Sequence, residues 1–194
     1  MISKQEYIRK LIHLSNLIIP ASYHYYLGRN DILICLFVLA SIFLLVDLKR
    51  KKNEKLISFF DTYFDKMMRK HEINGALTGA TWVMISAFVT VFFFPKHIAI
   101  LALIFMSIGD TVAAIIGRKF GKINIGEKTF EGFLSGFLSC LIISYFYTSI
   151  PFSICFYGSL IGMLSEIIPL RIDDNFKIPI SSGIVMYIFE LKLL

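Results

Sequence analysis

Residues 97–117 read HIAILALIFMSIGDTVAAIIG, and the acid inside this run decides how the rest of the chain is read. The run is apolar and of bilayer length, which takes about 17 to 25 residues. It nevertheless carries Asp110, and Gly109, Ala113 and Gly117 recur beside it at four-residue spacing. An acid in such a segment is costly unless it faces a cavity or a partner. Small residues at this spacing let a neighbouring helix approach closely. The stretch predicts a spanning helix that packs tightly and turns a carboxylate away from lipid.

The chain on either side has the same character. Its 194 residues are 56% hydrophobic and 18% charged, with a mean hydropathy of +0.70, a composition foreign to most soluble domains. Apolar windows predict helices at roughly 11–27, 31–48, 75–94, 97–117, 132–148, 152–168 and 179–194. The expected fold is all-α, a polytopic membrane bundle of about seven transmembrane helices forming a single domain over residues 1–194. Residues 55–70 alternate Leu56, Ile57, Phe59, Phe60, Tyr63, Phe64, Met67 and Met68 with Lys55, Asp61, Asp65, Lys66 and Arg69. They predict an amphipathic helix, lying on the inner membrane surface or packed on the bundle.

The charge of +6 and the pI near 9.2 do not indicate a nucleic-acid partner, because the basic residues flank the apolar runs. With the N-terminus cytoplasmic, all of the 20 Lys and Arg except Arg29, Lys96 and Lys192 fall on the cytoplasmic side. Cys35, Cys140 and Cys155 lie in apolar runs without metal-site spacing and read as core residues. His13, Asn16 and His24 interrupt the first run, which therefore reads as a retained span rather than a signal peptide.

Asp110, Glu131 and Glu166 are the acids that lipid should have excluded. Asp110 lies about 10 Å below the cytoplasmic end of its helix at 1.5 Å per residue. Glu131 starts the next span at that surface, and Glu166 precedes Pro169 there, so all three can open to one cytoplasmic cavity. Between the fourth and fifth spans, Arg118, Lys119, Lys122 and Lys128 accompany Gly121, Gly126 and Gly132. Glycines admit close backbone approach, a helix N-terminus presents free donors, and lysines neutralise phosphate, so this loop reads as a phosphate cradle. Its spacing is not that of a P-loop.

Asp173, Asp174 and Asn175, ahead of Pro179, are either hard oxygen ligands suited to Mg²⁺ or turn residues capping the last helix. Glu6, Arg9, Lys10 and His13 share one helix face entering the membrane. Arg9 and Lys10 read there as a snorkelling anchor, and His13 as a satisfied buried histidine or a base.

Taken together, these motifs resemble the CTP-dependent lipid kinases, the family of dolichol kinase, phytol kinase and yeast-type diacylglycerol kinase. The resemblance rests on Gly109, Asp110, Ala113, Gly117, Phe120, Gly121 and Lys122, then Lys128, Thr129, Glu131 and Gly132. That half also resembles phosphatidate cytidylyltransferase. Arg9, Lys10 and His13 at the start, with Asp173, Asp174, Asn175 and Pro179 at the end, resemble the kinases only. The cytidylyltransferase ending, His-Gly-Gly followed by Asp-Arg-x-Asp, is absent from this sequence.

The resemblance implies transfer of the γ-phosphoryl group of CTP to a membrane lipid alcohol, of diacylglycerol or polyprenol type, assisted by Mg²⁺. The metal candidates are Asp110, Asp173, Asp174, Asn175 and Glu166. Lys122, Lys128, Thr129, Gly121 and Gly132 would hold the triphosphate, with Arg9 and Lys10 adding charge. Glu131 ranks ahead of Asp110 and His13 as the catalytic base, because a carboxylate at the membrane surface can meet both substrates. The alternatives are a cytidylyltransferase making CDP-diacylglycerol and a non-enzymatic transporter or scaffold. The small-residue faces leave a homodimer open.

Overall fold

The computed structural model describes residues 4–50, 52–64, 68, 70–73, 76–170 and 172–193. Asp65, Lys66, Met67, Arg69, Gly75 and Arg171, used in the expectations above, lie outside the described residues. The fold is helical, with one small hairpin.

α1 (Lys4–Ser15) and α2 (Ile18–Tyr25) replace the single helix expected over 11–27. Pro20 explains the break: it has no amide hydrogen, and its ring excludes the carbonyl of Asn16 four residues earlier. α3 (Arg29–Arg50) runs through the second apolar segment and ends on Lys49 and Arg50, whose charge suits a helix C-terminus. The amphipathic segment is shorter than expected. α4 (Glu54–Tyr63) is capped by Asn53, whose side chain accepts from the Lys55 and Leu56 amides, and α5 is Lys70–Ile73.

α6 (Gly79–Phe93) begins at Thr78, whose hydroxyl accepts from the Thr81 amide. α7 (Lys96–Ile104) is central, and Ile98 to Leu103 are buried on every side. It continues through a π-helical turn, Phe105–Gly109, into α8 (Asp110–Phe120). The Ser107 hydroxyl donates to the Leu103 carbonyl and the Thr111 hydroxyl to the Ser107 carbonyl, so side chains serve the backbone where the ladder widens.

The loop expected after α8 is partly a hairpin. β1 (Asn124–Ile125) pairs antiparallel with β2 (Lys128–Thr129), Ile125 opposite Lys128, around a turn in which Gly126 has φ +61°. That left-handed value suits glycine. α9 (Phe130–Phe146) and α10 (Phe152–Ile167) follow their expected spans closely. α11 (Asp174–Leu193) starts earlier than the expected 179, with Pro179 inside it. Asp173 sets that start: its carboxylate accepts from the Asn175 amide, and its carbonyl accepts from Phe176 and Lys177.

α8 and α9 pack almost backbone to backbone. A Cβ on Gly136 would lie 2.9 Å from the Ala113 Cβ and 3.0 Å from the Gly109 carbonyl, so the spacing of small residues is used as expected. α10 packs on α11 and α3 on α6. Among the described residues two helices are long and apolar enough to cross a bilayer, Arg29–Arg50 and the continuous Lys96–Phe120, whereas Gly79–Phe93, Phe130–Phe146 and Phe152–Ile167 are apolar but shorter. α3 leaves Ile34, Phe37, Val38, Ile42 and Leu45 exposed along its length.

Candidate active site

The polar face of α1 packs inward rather than anchoring at a surface. Lys10 Nζ lies 2.6 Å from Asp110 Oδ2, and both residues are buried. Arg9 pairs with Glu6 at 2.7 Å, and Arg118 from the end of α8 reaches the other Glu6 oxygen at 3.1 Å. His13 Nε2 lies 3.2 Å from the Met106 carbonyl oxygen and 3.4 Å from Asp110 Oδ2. A carbonyl only accepts, so Nε2 carries the proton, and Nδ1 faces the Asn16 amide nitrogen at 3.4 Å. His13 therefore ties α1 to the π turn at Met106, beside Asp110, and in this arrangement is not poised to take a proton.

A second charge cluster approaches from the opposite side. Lys128, on β2, donates to Glu166 Oε1 at 2.7 Å and to Asp174 Oδ2 at 2.6 Å, while Lys177 donates to Asp174 Oδ1 at 2.8 Å. Burial lowers the affinity of Lys128 for its proton, but the Glu166 and Asp174 carboxylates outweigh this and raise its pKa. It remains a cation at any working pH. One ligand oxygen from each of Asp110, Glu166 and Asp174 falls within 4.8 Å of the others.

These groups line a cavity of about 500 Å³. Arg9, Lys10, Arg118 and Lys128 bring positive charge to its wall, and Asp110, Glu166 and Asp174 form the acidic side. Gly117, Gly132 and Ala113 also line it, and a Cβ on Gly117 would meet the Thr129 hydroxyl at 2.7 Å and one on Gly132 the Ala113 carbonyl at 2.8 Å, so the glycines set the close approach of α8 and α9 there. Thr129 lines it as the cap of α9, its hydroxyl accepting from the Gly132 amide at 3.1 Å. A positive helix N-terminus thus faces the cavity.

Other expected site residues lie elsewhere. Glu131 is at the surface, accepting from the Ile123 amide at 3.2 Å, and does not line the cavity. The Lys122 backbone amide is the main cause that holds its pKa below the usual carboxylate range, which makes it a poorer base. Lys122 is exposed outside the lining. Gly121 ends α8 against Thr129, where a Cβ would meet the Thr129 side chain at 2.6 Å. Asn175 turns to the Gly79 carbonyl at 3.4 Å, and Asp173 caps α11. Glu131→Gln, which retains an oxygen for the Ile123 amide, is accordingly expected to keep activity within about threefold of the parent in a lipid phosphorylation assay.

Asp47 was not anticipated. It is buried in α3 and accepts from the Thr78 amide at 2.7 Å and from the Thr78 and Thr81 hydroxyls at 3.0 and 2.6 Å. Arg50, beside it, donates to the Glu72 and Ala76 carbonyls at 3.1 Å. Asp47 stands next to a basic run in the sequence, so it reads as a helix end. Its partners Thr78 and Thr81 lie 31 and 34 residues further on, beyond α4 and α5, so the local sequence carries no signal of the contact.

Fold and site together define a helical protein with apolar helices of bilayer length and a cavity lined by cations beside a carboxylate cluster. No family model matches the sequence, and no solved structure matches it. An uncharacterized protein of Rickettsia prowazekii is 35% identical over 196 residues, covering 95% of each chain. The CTP-dependent diacylglycerol kinase 1 of Saccharomyces cerevisiae is 28% identical, with 95% of this chain matched to 73% of that one. The fission-yeast (Schizosaccharomyces pombe) enzyme of the same name is 29% identical over 63% of this chain and 64% of its own. Phytol kinase 1 of Arabidopsis thaliana is 25% identical over 95% of this chain and 67% of its own. The chain belongs to the CTP-dependent lipid kinase family.

Proposed function

We propose that this protein transfers the γ-phosphoryl group of CTP to the hydroxyl of a membrane lipid alcohol, releasing CDP. The observation that carries this reading is the cavity in which four cations, a helix N-terminus and four carboxylates meet, three of the carboxylates clustered from separate elements. Phosphoryl transfer depends on positioning and charge neutralisation, and these are the parts it uses. CTP as donor, and diacylglycerol or phytol as acceptor, are supported by the names of the relatives, whereas a polyprenol acceptor rests on the sequence resemblance alone.

Mg²⁺ fits the acidic side. Its ligands are hard oxygens at about 2.1 Å, which places opposite oxygens about 4.2 Å apart. Asp110, Glu166 and Asp174 already approach that spacing, and Glu166 Oε2 is buried with no hydrogen-bond partner among the described residues. These three would hold the ion, which would supply positive charge to offset the charge developing on the transferring phosphate. Lys128, Lys10, Arg9 and Arg118 would bind the remaining phosphate oxygens, and the Thr129 cap would orient the α9 amides toward them.

We place the site at the cytoplasmic face of a multi-pass bundle. The apolar side chains that α3 exposes suit lipid, as do the basic residues gathered on one side. The test is incubation of purified protein in mixed micelles with γ-labelled CTP, Mg²⁺ and separate lipid alcohols. Label is expected in an extracted lipid phosphate. Absence of label from every alcohol, with a CDP-lipid forming when phosphatidate is supplied, would overturn the proposal in favour of cytidylyl transfer.

A further inference from the structure

Beside the polar cavity lies a second, of about 360 Å³, and the two share Arg9, Lys10 and Asp110. Away from that shared end its walls are apolar: Ile42, Phe43 and Val46 on α3, Val83 on α6, Phe60 on α4 and Phe64 just past its end. We propose that this cavity is the acceptor site. A neutral lipid alcohol lies with its chain against α3, α4 and α6 and its hydroxyl beside Asp110. This rests on the kinase reading above and adds where the second substrate sits.

Polarity sets the orientation. At the far end, Asp47 Oδ2 already accepts three hydrogen bonds from Thr78 and Thr81, and Glu72 accepts from the Gly79 amide at 2.8 Å. Those groups are satisfied by protein, so a hydrocarbon chain passing them breaks no hydrogen bond. At the shared end, His13 and Lys10 hold the Asp110 carboxylate where the apolar wall gives way to the phosphate cavity. A hydroxyl there meets the open polar cavity, and its proton leaves to solvent through that cavity as the oxygen reacts. Its oxygen bonds to the γ-phosphorus presented from the polar side, and the bond from that phosphorus to the β-bridging oxygen breaks, so CDP leaves with the electron pair.

α4 explains how a water-insoluble chain is kept covered. It packs on α3, and Phe60 lies 5.0 Å from the Arg50 guanidinium and 5.4 Å from the Phe64 ring. Its other apolar residues, Ile57 and Phe59, are exposed, which suits a helix resting at the lipid boundary above the cavity.

The experiment uses the full chain in micelles and a long-chain alcohol carrying a diazirine. Photo-crosslinks are expected on peptides from α3, α4 and α6. Val46→Trp and Ala80→Trp fill the cavity from two helices, at positions that are half-buried and exposed. Each is expected to cut crosslinking and lipid phosphorylation about tenfold, with the KM for CTP unchanged and the melting temperature retained. Crosslinks elsewhere, none at all, or crosslinks that neither variant reduces would overturn the acceptor site, even with normal CTP turnover. Crosslinks as expected without CTP turnover would support the lipid site and remove the kinase reading instead.

Discussion

Asp110→Asn is expected to abolish lipid phosphorylation, by about 10³-fold or more, because it removes the charge on which the metal, the acceptor hydroxyl and the buried cations all converge. The substitution preserves shape, so the loss reports charge. It also strands Lys10, whose Nζ now sits 2.6 Å from a carboxylate oxygen in a buried site. Removing one partner of such a pair costs about 3 to 5 kcal/mol, so the single variant will melt earlier. Lys10→Met in the same chain removes the stranded charge. The double variant should recover much of the melting temperature and none of the activity. If the double variant phosphorylates lipid as well as the parent, Asp110 has no part in the chemistry.

Lys128→Met produces the second large effect, through the opposite sign. In the structure Lys128 holds Glu166 and Asp174 together at 2.7 and 2.6 Å, and its side chain retains one-third exposure toward the cavity. Methionine keeps much of the stem and loses the cation. Activity should fall about 10² to 10³-fold, as a phosphate contact disappears. Mg²⁺ should meanwhile raise the melting temperature of this variant more than that of the parent, because the carboxylates have lost their internal counter-charge. Equal Mg²⁺ effects on the two proteins would mean that the carboxylate cluster is not the metal site.

Much of the fold could be read from where apolar runs begin and end. α9 and α10 match their expected spans within a few residues because Thr129 and Pro151 start the helices there. The departures each have a local cause. Pro20 splits the first helix, and Pro179 reads as a helix start although the Asp173 cap already forms a turn before it. The hairpin at 124–129 has two residues in each strand, too few for any alternation to appear in sequence.

For the site, acids in apolar surroundings were a sound guide. Asp110 and Glu166 meet Asp174 from three separate elements. Lys10 could be read as an anchor or as charge for the site, and the structure buries it against Asp110 on the cavity wall; snorkelling and a buried ion pair look alike until the partner helix is placed. Glu131 has the right chemistry at the right depth, but the hairpin draws its carboxylate to the Ile123 amide. Such a contact depends on the loop's path, which the run of cations and glycines did not reveal.

The π turn at Phe105–Gly109 has one last consequence, for azimuth. Each α-helical residue advances about 100° around the axis, and a π turn accommodates one residue more than an α turn. Everything beyond Gly109 is rotated by that angle relative to an uninterrupted helix. Upstream, α7 is buried all around, so rotation there changes little. Downstream, the same rotation aims Asp110 at α1 and lays Ala113 and Gly117 against α9. The aim of the carboxylate is therefore set by how many residues precede it as much as by which residues they are, and a chain one residue shorter in that turn would keep its hydropathy while pointing its acid elsewhere.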